Sequence, residues 1–219
     1  MQCDREEGIL LMTTVASHPK NKIPLAVIVF TILYLAVGTV LAFRSDNWEF
    51  VFYILVVIVI GLGVLRIHSK IGLSTGVFWL LAIWGFLHMA GGLIPIPDSW
   101  SHVSGKPVFY SWDVIPGYLR YDQIIHAFGF AVATWAAWQC LSRTLHARRT
   151  QTGMVILSML AGLGLGATNE VVEFFATLFL DTNVGGYENT GWDLVANTVG
   201  AIVAGGLIRF WPDASNPAN

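Results

Sequence analysis

Charge is what this sequence has least of. Only 12% of its 219 residues are Asp, Glu, Lys or Arg, 55% are hydrophobic, and the mean hydropathy of +0.63 lies far above that of soluble globular domains. The balance excludes an ordinary soluble domain and points to a chain dissolved in lipid. A net charge of -2 without any basic tract offers nucleic acid no electrostatic footprint, so nucleic acid is not an expected partner. Cysteine is also scarce: Cys3 and Cys140 lie far apart and are both expected on the cytoplasmic face, which argues against a disulfide. Without Cys/His clusters, zinc fingers drop out as well. The apolar stretch Gly8 to Ala16 is short, follows Asp4, Glu6 and Glu7, and lacks the basic start of a signal peptide. Residues 1–22 therefore read as a cytoplasmic or interfacial tail. No internal repeat emerges, so an inverted-repeat transporter gains no support.

What is abundant is long apolar segments. Six of them suit a crossing of roughly 30 Å of hydrocarbon, at about 23–43, 50–65, 75–94, 121–141, 153–180 and 192–210. The expected fold is all-α: a polytopic six-helix membrane bundle forming one domain over residues 23–211, with a short tail at 212–219. The second span is short and the fifth long, so the fifth is expected to tilt or to project. With the N-terminus inside, the inner segments carry Arg5, Lys20, Lys22, Arg66, Lys70, Arg143, Arg148, Arg149 and Arg209, against Arg44, Lys106 and Arg120 outside. The excess of positive charge places both termini in the cytoplasm of a cell with the protein in its plasma (inner) membrane. Trp48, Trp100, Trp112 and Trp192 then fall near the outer boundary and Trp211 near the inner one, as an aromatic belt would have it. The loop from Pro95 to Arg120 lies outside and is rich in Pro and aromatics. It reads first as an aromatic-anchored interfacial loop and second as a lid over the bundle mouth.

Against this apolar background six ionisable residues stand out. His88, Asp122, His126, Glu170, Glu173 and Asp193 fall on four different spans, and the topology brings all six to the outer end of the bundle. Charged groups inside a bilayer are costly, so several at one depth argue for a site. The spacings agree: Asp122 with His126 and Asp193 with Asn197 are i,i+4, Glu170 with Glu173 is i,i+3, and each pair shares one helix face. Gly91, Gly92, Gly162, Gly164, Gly166 and the series Ala196, Gly200, Ala204 would let the backbones approach closely.

Two chemistries suit such a pocket. Helix-borne Glu, Asp and His at these spacings can hold a divalent metal such as zinc, iron or manganese, with His88, His126, Glu170, Glu173 and Asp193 as ligands. Without a metal, Glu170 or Glu173 would act as general base, with His126 oriented by Asp122. Plainer readings stand beside these. Asp122 and Asp193 at helix starts would cap free amides, a lone His is usually a packing residue, and Asn197 would be interhelical glue. Glu170 and Glu173 resist such readings, because the helix continues through Phe174 to Leu180. The leading functional expectation is a site acting on a lipid or lipid-linked envelope molecule, with membrane lipids as partners. The alternative is a non-enzymatic protein that binds or transports a cation, a proton or a cationic substrate, or one whose polar layer is purely structural.

The strings Leu87-His88-Met89-Ala90-Gly91-Gly92, Arg120-Tyr121-Asp122-Gln123-Ile124-Ile125-His126-Ala127-Phe128-Gly129-Phe130, Asn169-Glu170-Val171-Val172-Glu173 and the run from Trp192 to Ala201 resemble the YjdF-type family of bacterial inner-membrane proteins over roughly Leu87 to Gly205. More distantly, Asp122 with His126, Glu170, and Asp193 with Asn197 and Gly200 are similar to the pattern of VanZ-type proteins, associated with teicoplanin resistance. Gln123 stands where both families commonly carry a basic residue, and Glu173 where the VanZ-type pattern usually has an amide. The resemblance implies the six-helix fold and the same polar positions, and it implies no particular reaction.

Overall fold

The computed structural model describes residues 22–103, 106–145, 151–180, 182 and 186–210. The expected terminal tails apart from Lys22, together with Cys3, Arg148, Arg149 and Trp211, lie outside the described residues. The helices are α1 (Leu25–Arg44), α2 (Trp48–Ile71), α3 (Thr75–Leu93), α4 (Tyr121–Thr144), α5 (Thr152–Phe179) and α6 (Tyr187–Phe210). All six are long and apolar enough to cross a membrane. Their exposed surface is apolar, with Ile32, Leu33, Val59, Leu62, Phe174, Val203 and Leu207 facing outward, while Asp122, His126, Glu170, Glu173 and Asp193 are buried. This is the inverted arrangement that hydrocarbon solvent requires.

Two boundaries differ from the sequence expectation, each for a local reason. The second span is not short. The Asn47 side chain caps α2 by accepting from the Phe50 amide at 3.2 Å, and the helix runs on through the polar segment Arg66 to Lys70 until Gly72, at φ 77°, turns the chain. Helix α6 begins at Tyr187 rather than near Trp192, because Tyr187 to Gly191 are helical although polar. Asp193 is therefore more than a turn inside the helix, and capping does not explain it. Helix α5 is long as expected, and its 28 residues at about 1.5 Å each come to about 42 Å.

Helix α4 is the central rod, packed against α2, α3, α5 and α6. Its closest neighbour is α6, and the reason is a single hydrogen atom. A Cβ at Gly200 would run into the Ala127 carbonyl oxygen and crowd the Ala131 amide, so only glycine permits that crossing. Gly166 on α5 likewise leaves room for the Asn197 side chain, whose atoms lie 3.0–3.1 Å from where a Cβ would stand. Gly164, expected to share in this approach, has nothing within 4 Å of its Cβ direction. At the end of the bundle away from the long loop, Gln139 ties α4 to the start of α3 by accepting from the Ser74 amide at 2.9 Å and donating to its hydroxyl at 2.7 Å. Arg143 donates to the Ile71 carbonyl at 3.2 Å, which closes the last turn of α2. Helices α1 and α2 touch the rest more loosely, and apolar grooves of about 270 and 360 Å³ lie between α1 and its neighbours α2 and α3.

The long loop is folded rather than loose. It contains a one-turn helix at Phe109–Ser111 and an antiparallel pair, β1 (Asp113–Ile115) with β2 (Leu119–Arg120). Ile96, Val108 and Tyr110 are buried, and Ser111 bonds back to the Lys106 and Val108 carbonyls at 2.9 and 2.8 Å.

The α4/α6 crossing can be tested directly. Gly200→Leu should destabilise the bundle by about 3 kcal/mol through overpacking against backbone. Gly206→Leu, where nothing lies within 4 Å, should leave the thermal midpoint in detergent nearly unchanged. Equal midpoints for the two variants would refute the crossing.

Candidate functional site

The polar layer sits about two helical turns inside the loop end of the bundle. His126 is five residues into α4, Asp193 six into α6, and Glu173 six from the end of α5, each about 8–9 Å in depth. His126 is the hub. Its Nδ1 lies 3.1 Å from Asn197 Oδ1 and 3.3 Å from Glu170 Oε1, and its Nε2 lies 3.5 Å from Asp122 Oδ1 and 3.6 Å from Glu173 Oε1. Both atoms at Nδ1 are acceptors, so Nδ1 carries a proton and donates. Nε2 then either holds a second proton shared toward Asp122 and Glu173, or offers its lone pair to a cation.

Each carboxylate around this imidazole is anchored by an amide. Asn197 Nδ2 donates to Glu170 Oε1 at 3.3 Å, Asn169 Nδ2 donates to Glu173 Oε1 at 2.6 Å, and Asn189 Nδ2 donates to Asp193 Oδ2 at 2.5 Å. The remaining oxygens Glu170 Oε2 and Asp193 Oδ1 have no hydrogen-bond partner among the described residues. Asp193 and Asn197 are each 1% exposed, and Asp122, His126, Glu170 and Glu173 between 4 and 6%. Buried carboxylate oxygens without a partner are expensive, so the cluster calls for a cation or bound protons.

Among the described residues, His126, Glu170, Glu173 and Asp193 form a group in which one ligand atom from each lies within 4.8 Å of all the others. The sequence reading had proposed these four together with His88. The structure gives His88 a different setting. Its Nδ1 is hydrogen-bonded to the Tyr110 hydroxyl, and its ring is boxed by Phe50, Tyr53, Trp84 and Tyr110 at centroid distances of 5.6–6.1 Å. Asp122 meets the His126 ring at Nε2, while Asn197 and Glu170 face it at Nδ1. Asn197 thus bridges α4 and α5 from α6, which is glue and site at once.

The chain is matched by a family model, Predicted membrane protein (DUF2238), over residues 25–214. It belongs to the DUF2238 family. The match spans all six helices and the whole polar layer of this DUF2238 protein. No curated protein and no solved structure matches the chain.

Several residues of the site were not singled out from sequence. Asn169 and Asn189 stand four residues before Glu173 and Asp193, the same i,i+4 spacing that flagged Asp122 with His126, and that signal was there to be read. Glu49, 2% exposed in the first turn of α2, lies just before the apolar run at 50–65 and was not singled out. Tyr110 looked like one belt aromatic among many. In the structure burial, with the negative charge of Asp122 and Glu173 nearby, pushes its phenol well above the usual tyrosine range, so it remains a donor.

Removing the hub should expose its electrostatic role. His126→Leu leaves buried carboxylates without their donor and should lower stability by about 3 kcal/mol. Adding Glu173→Gln should recover part of that loss, because it removes one of the stranded charges. A His126→Leu protein as stable as the parent in a detergent melt would contradict the hub.

Proposed function

We propose that this DUF2238 protein holds one divalent cation between His126, Glu170, Glu173 and Asp193, and that the loaded site acts on a lipid or lipid-linked envelope molecule. The observation that carries the reading is the division of labour within three of the four ligands, His126, Glu170 and Asp193. His126 Nδ1, Glu170 Oε1 and Asp193 Oδ2 are engaged by asparagine side chains, while Glu170 Oε2 and Asp193 Oδ1 have no hydrogen-bond partner among the described residues and His126 Nε2 faces the carboxylates of Asp122 and Glu173. Amides that fix one atom of a ligand and free the other are how proteins orient metal ligands. The 3.6 Å from His126 Nε2 to Glu173 Oε1 is near the roughly 3.3 Å edge of a tetrahedral site with bonds of about 2.0 Å. One nitrogen and three carboxylates suit zinc, iron or manganese.

A bound cation would bring Lewis acidity and a lowered pKa for a coordinated water. Asp122, outside the ligand group but 3.5 Å from His126 Nε2, is the carboxylate left over for proton transfer in this arrangement. That replaces the earlier assignment of the base to Glu170 or Glu173, which as ligands would no longer be free to act so. The excess of basic residues on the opposite side supports cytoplasmic termini in a plasma-membrane protein, so the site would face the outer leaflet. The resemblance to YjdF-type and VanZ-type proteins, the latter tied to a glycopeptide that acts on the envelope, supports a lipid-linked substrate. The same buried carboxylates also suit cation or proton transport.

Purified full-length protein in mild detergent should carry about one divalent metal per chain by elemental analysis. Glu170→Gln and Glu173→Gln should each lose most of it while the helical signal is retained. Metal-free wild-type protein that moves protons or cations across liposomes would shift the reading to transport. Both variants folded, metal-free like the parent and fully functional in cells would end the site hypothesis.

A further inference from the structure

The loop strand β2 ends at Arg120, and Arg120 reaches away from its own helix. Its guanidinium Nη1 donates to Asn189 Oδ1 at 3.2 Å, and the Nδ2 of the same amide donates to Asp193 Oδ2 at 2.5 Å. An amide has one acceptor end and one donor end. With the acceptor end held by Arg120, only the donor end can turn to Asp193, and the Asp193 carboxylate is thereby rotated so that Oδ1 is the oxygen without a partner. Arg120 is itself fixed from the loop. Its Nε lies 3.8 Å from Asp113 Oδ1 across the β1/β2 pair, and its backbone amide donates to Gln123 Oε1 at 3.0 Å. Arg120 and Asn189 are both half-buried, whereas Asp193 is 1% exposed.

We propose that Arg120 and Asn189 are positioning residues for the cation ligand Asp193, and that through them the β1/β2 hairpin of the long loop is energetically coupled to occupancy of the cation site. This rests on the cation reading above. Its physical content is reciprocal: whatever the hairpin does to hold Asp193 for the cation, the bound cation does in equal measure to hold the hairpin. The loop is then a cover that tightens when the site is filled. On the opposite side Tyr110 makes the matching contact, lying against His88 on α3. The hairpin thus bears on the polar layer from the α6 side, while the one-turn helix is held to the bundle at His88 on α3. A loop joined to the bundle only by belt aromatics would have neither contact.

The test uses full-length protein in detergent with Zn²⁺ or Mn²⁺ as the probe. Equilibrium dialysis gives affinity, and hydrogen–deuterium exchange of loop peptides covering 113–120 gives hairpin order with and without metal. Wild type should bind one ion and show slower exchange in the hairpin when loaded. Asn189→Ala should weaken binding 10- to 100-fold, the usual cost of losing a group that orients a ligand. Arg120→Ala should weaken it about 10-fold and abolish the metal-dependent slowing in the hairpin, and Arg120→Lys should restore part of both. A purely structural Arg120 would lower the thermal midpoint without uncoupling exchange from metal. Wild-type binding with unchanged affinity and unchanged exchange response in Asn189→Ala and Arg120→Ala overturns this proposal alone. A wild-type protein that binds neither ion overturns it together with the cation reading.

Discussion

The structure depends on placing several carboxylates around one imidazole inside a bundle whose outside is hydrocarbon. Asp122, Glu170, Glu173 and Asp193 come from three helices and meet at His126. None of them is tolerable alone at that depth. Together, with Asn169, Asn189 and Asn197 donating to them, they form a network in which only specific oxygens remain without a partner. Removing the imidazole would leave the carboxylates to repel one another, and the same physics that makes the layer costly makes its geometry specific.

The packing follows from bringing those groups within reach. Side chains of Asp, Glu and Asn are short, so the helices that carry them must nearly touch. Gly200 against the Ala127 carbonyl sets α6 on α4, Gly166 beneath Asn197 sets α5 against α6, and Ala196 and Ala204 continue the small seam. Lipid tails supply no hydrophobic force between helices, so close van der Waals contact and the polar layer must supply the association. Helices α1 and α2, which carry no member of the layer, are correspondingly the more loosely held, and apolar grooves flank α1.

Much of this was legible in the sequence because membrane solvent writes in long apolar runs. All six helices could be read from length and hydropathy, and their ends failed where helix and hydrophobicity part company. Residues 66–71 and 187–191 are helical but polar, so a reading based on apolar runs ends α2 too early and starts α6 too late. The core of the site was legible for a related reason, since ionisable residues at i,i+3 and i,i+4 spacing are conspicuous inside such runs. The amides were not, because an Asn four residues from an acid near a helix end looks like ordinary surface. The partner of His88 was invisible for a different cause. Tyr110 comes from a loop whose fold depends on backbone bonds such as Phe109 to Ile94 and Tyr121 to Trp112, and spacing along the chain does not encode them.

The position of the loop completes the electrostatic logic. A site of many carboxylates that opened straight to water would be screened, and its oxygens would find solvent instead of one another. Val108 and Tyr110 of the loop are buried in one apolar cluster with Phe50, Tyr53, Met89 and Ala176, and Ile96 is buried as well. The only guanidinium hydrogen-bonded to the layer's amides among the described residues, Arg120, is held at the rim against Asp113 rather than inside. A positive side chain placed among the carboxylates would neutralise them and close the site to any cation. In the proposed arrangement, one placed a single amide away orients Asp193 and leaves its charge for a cation.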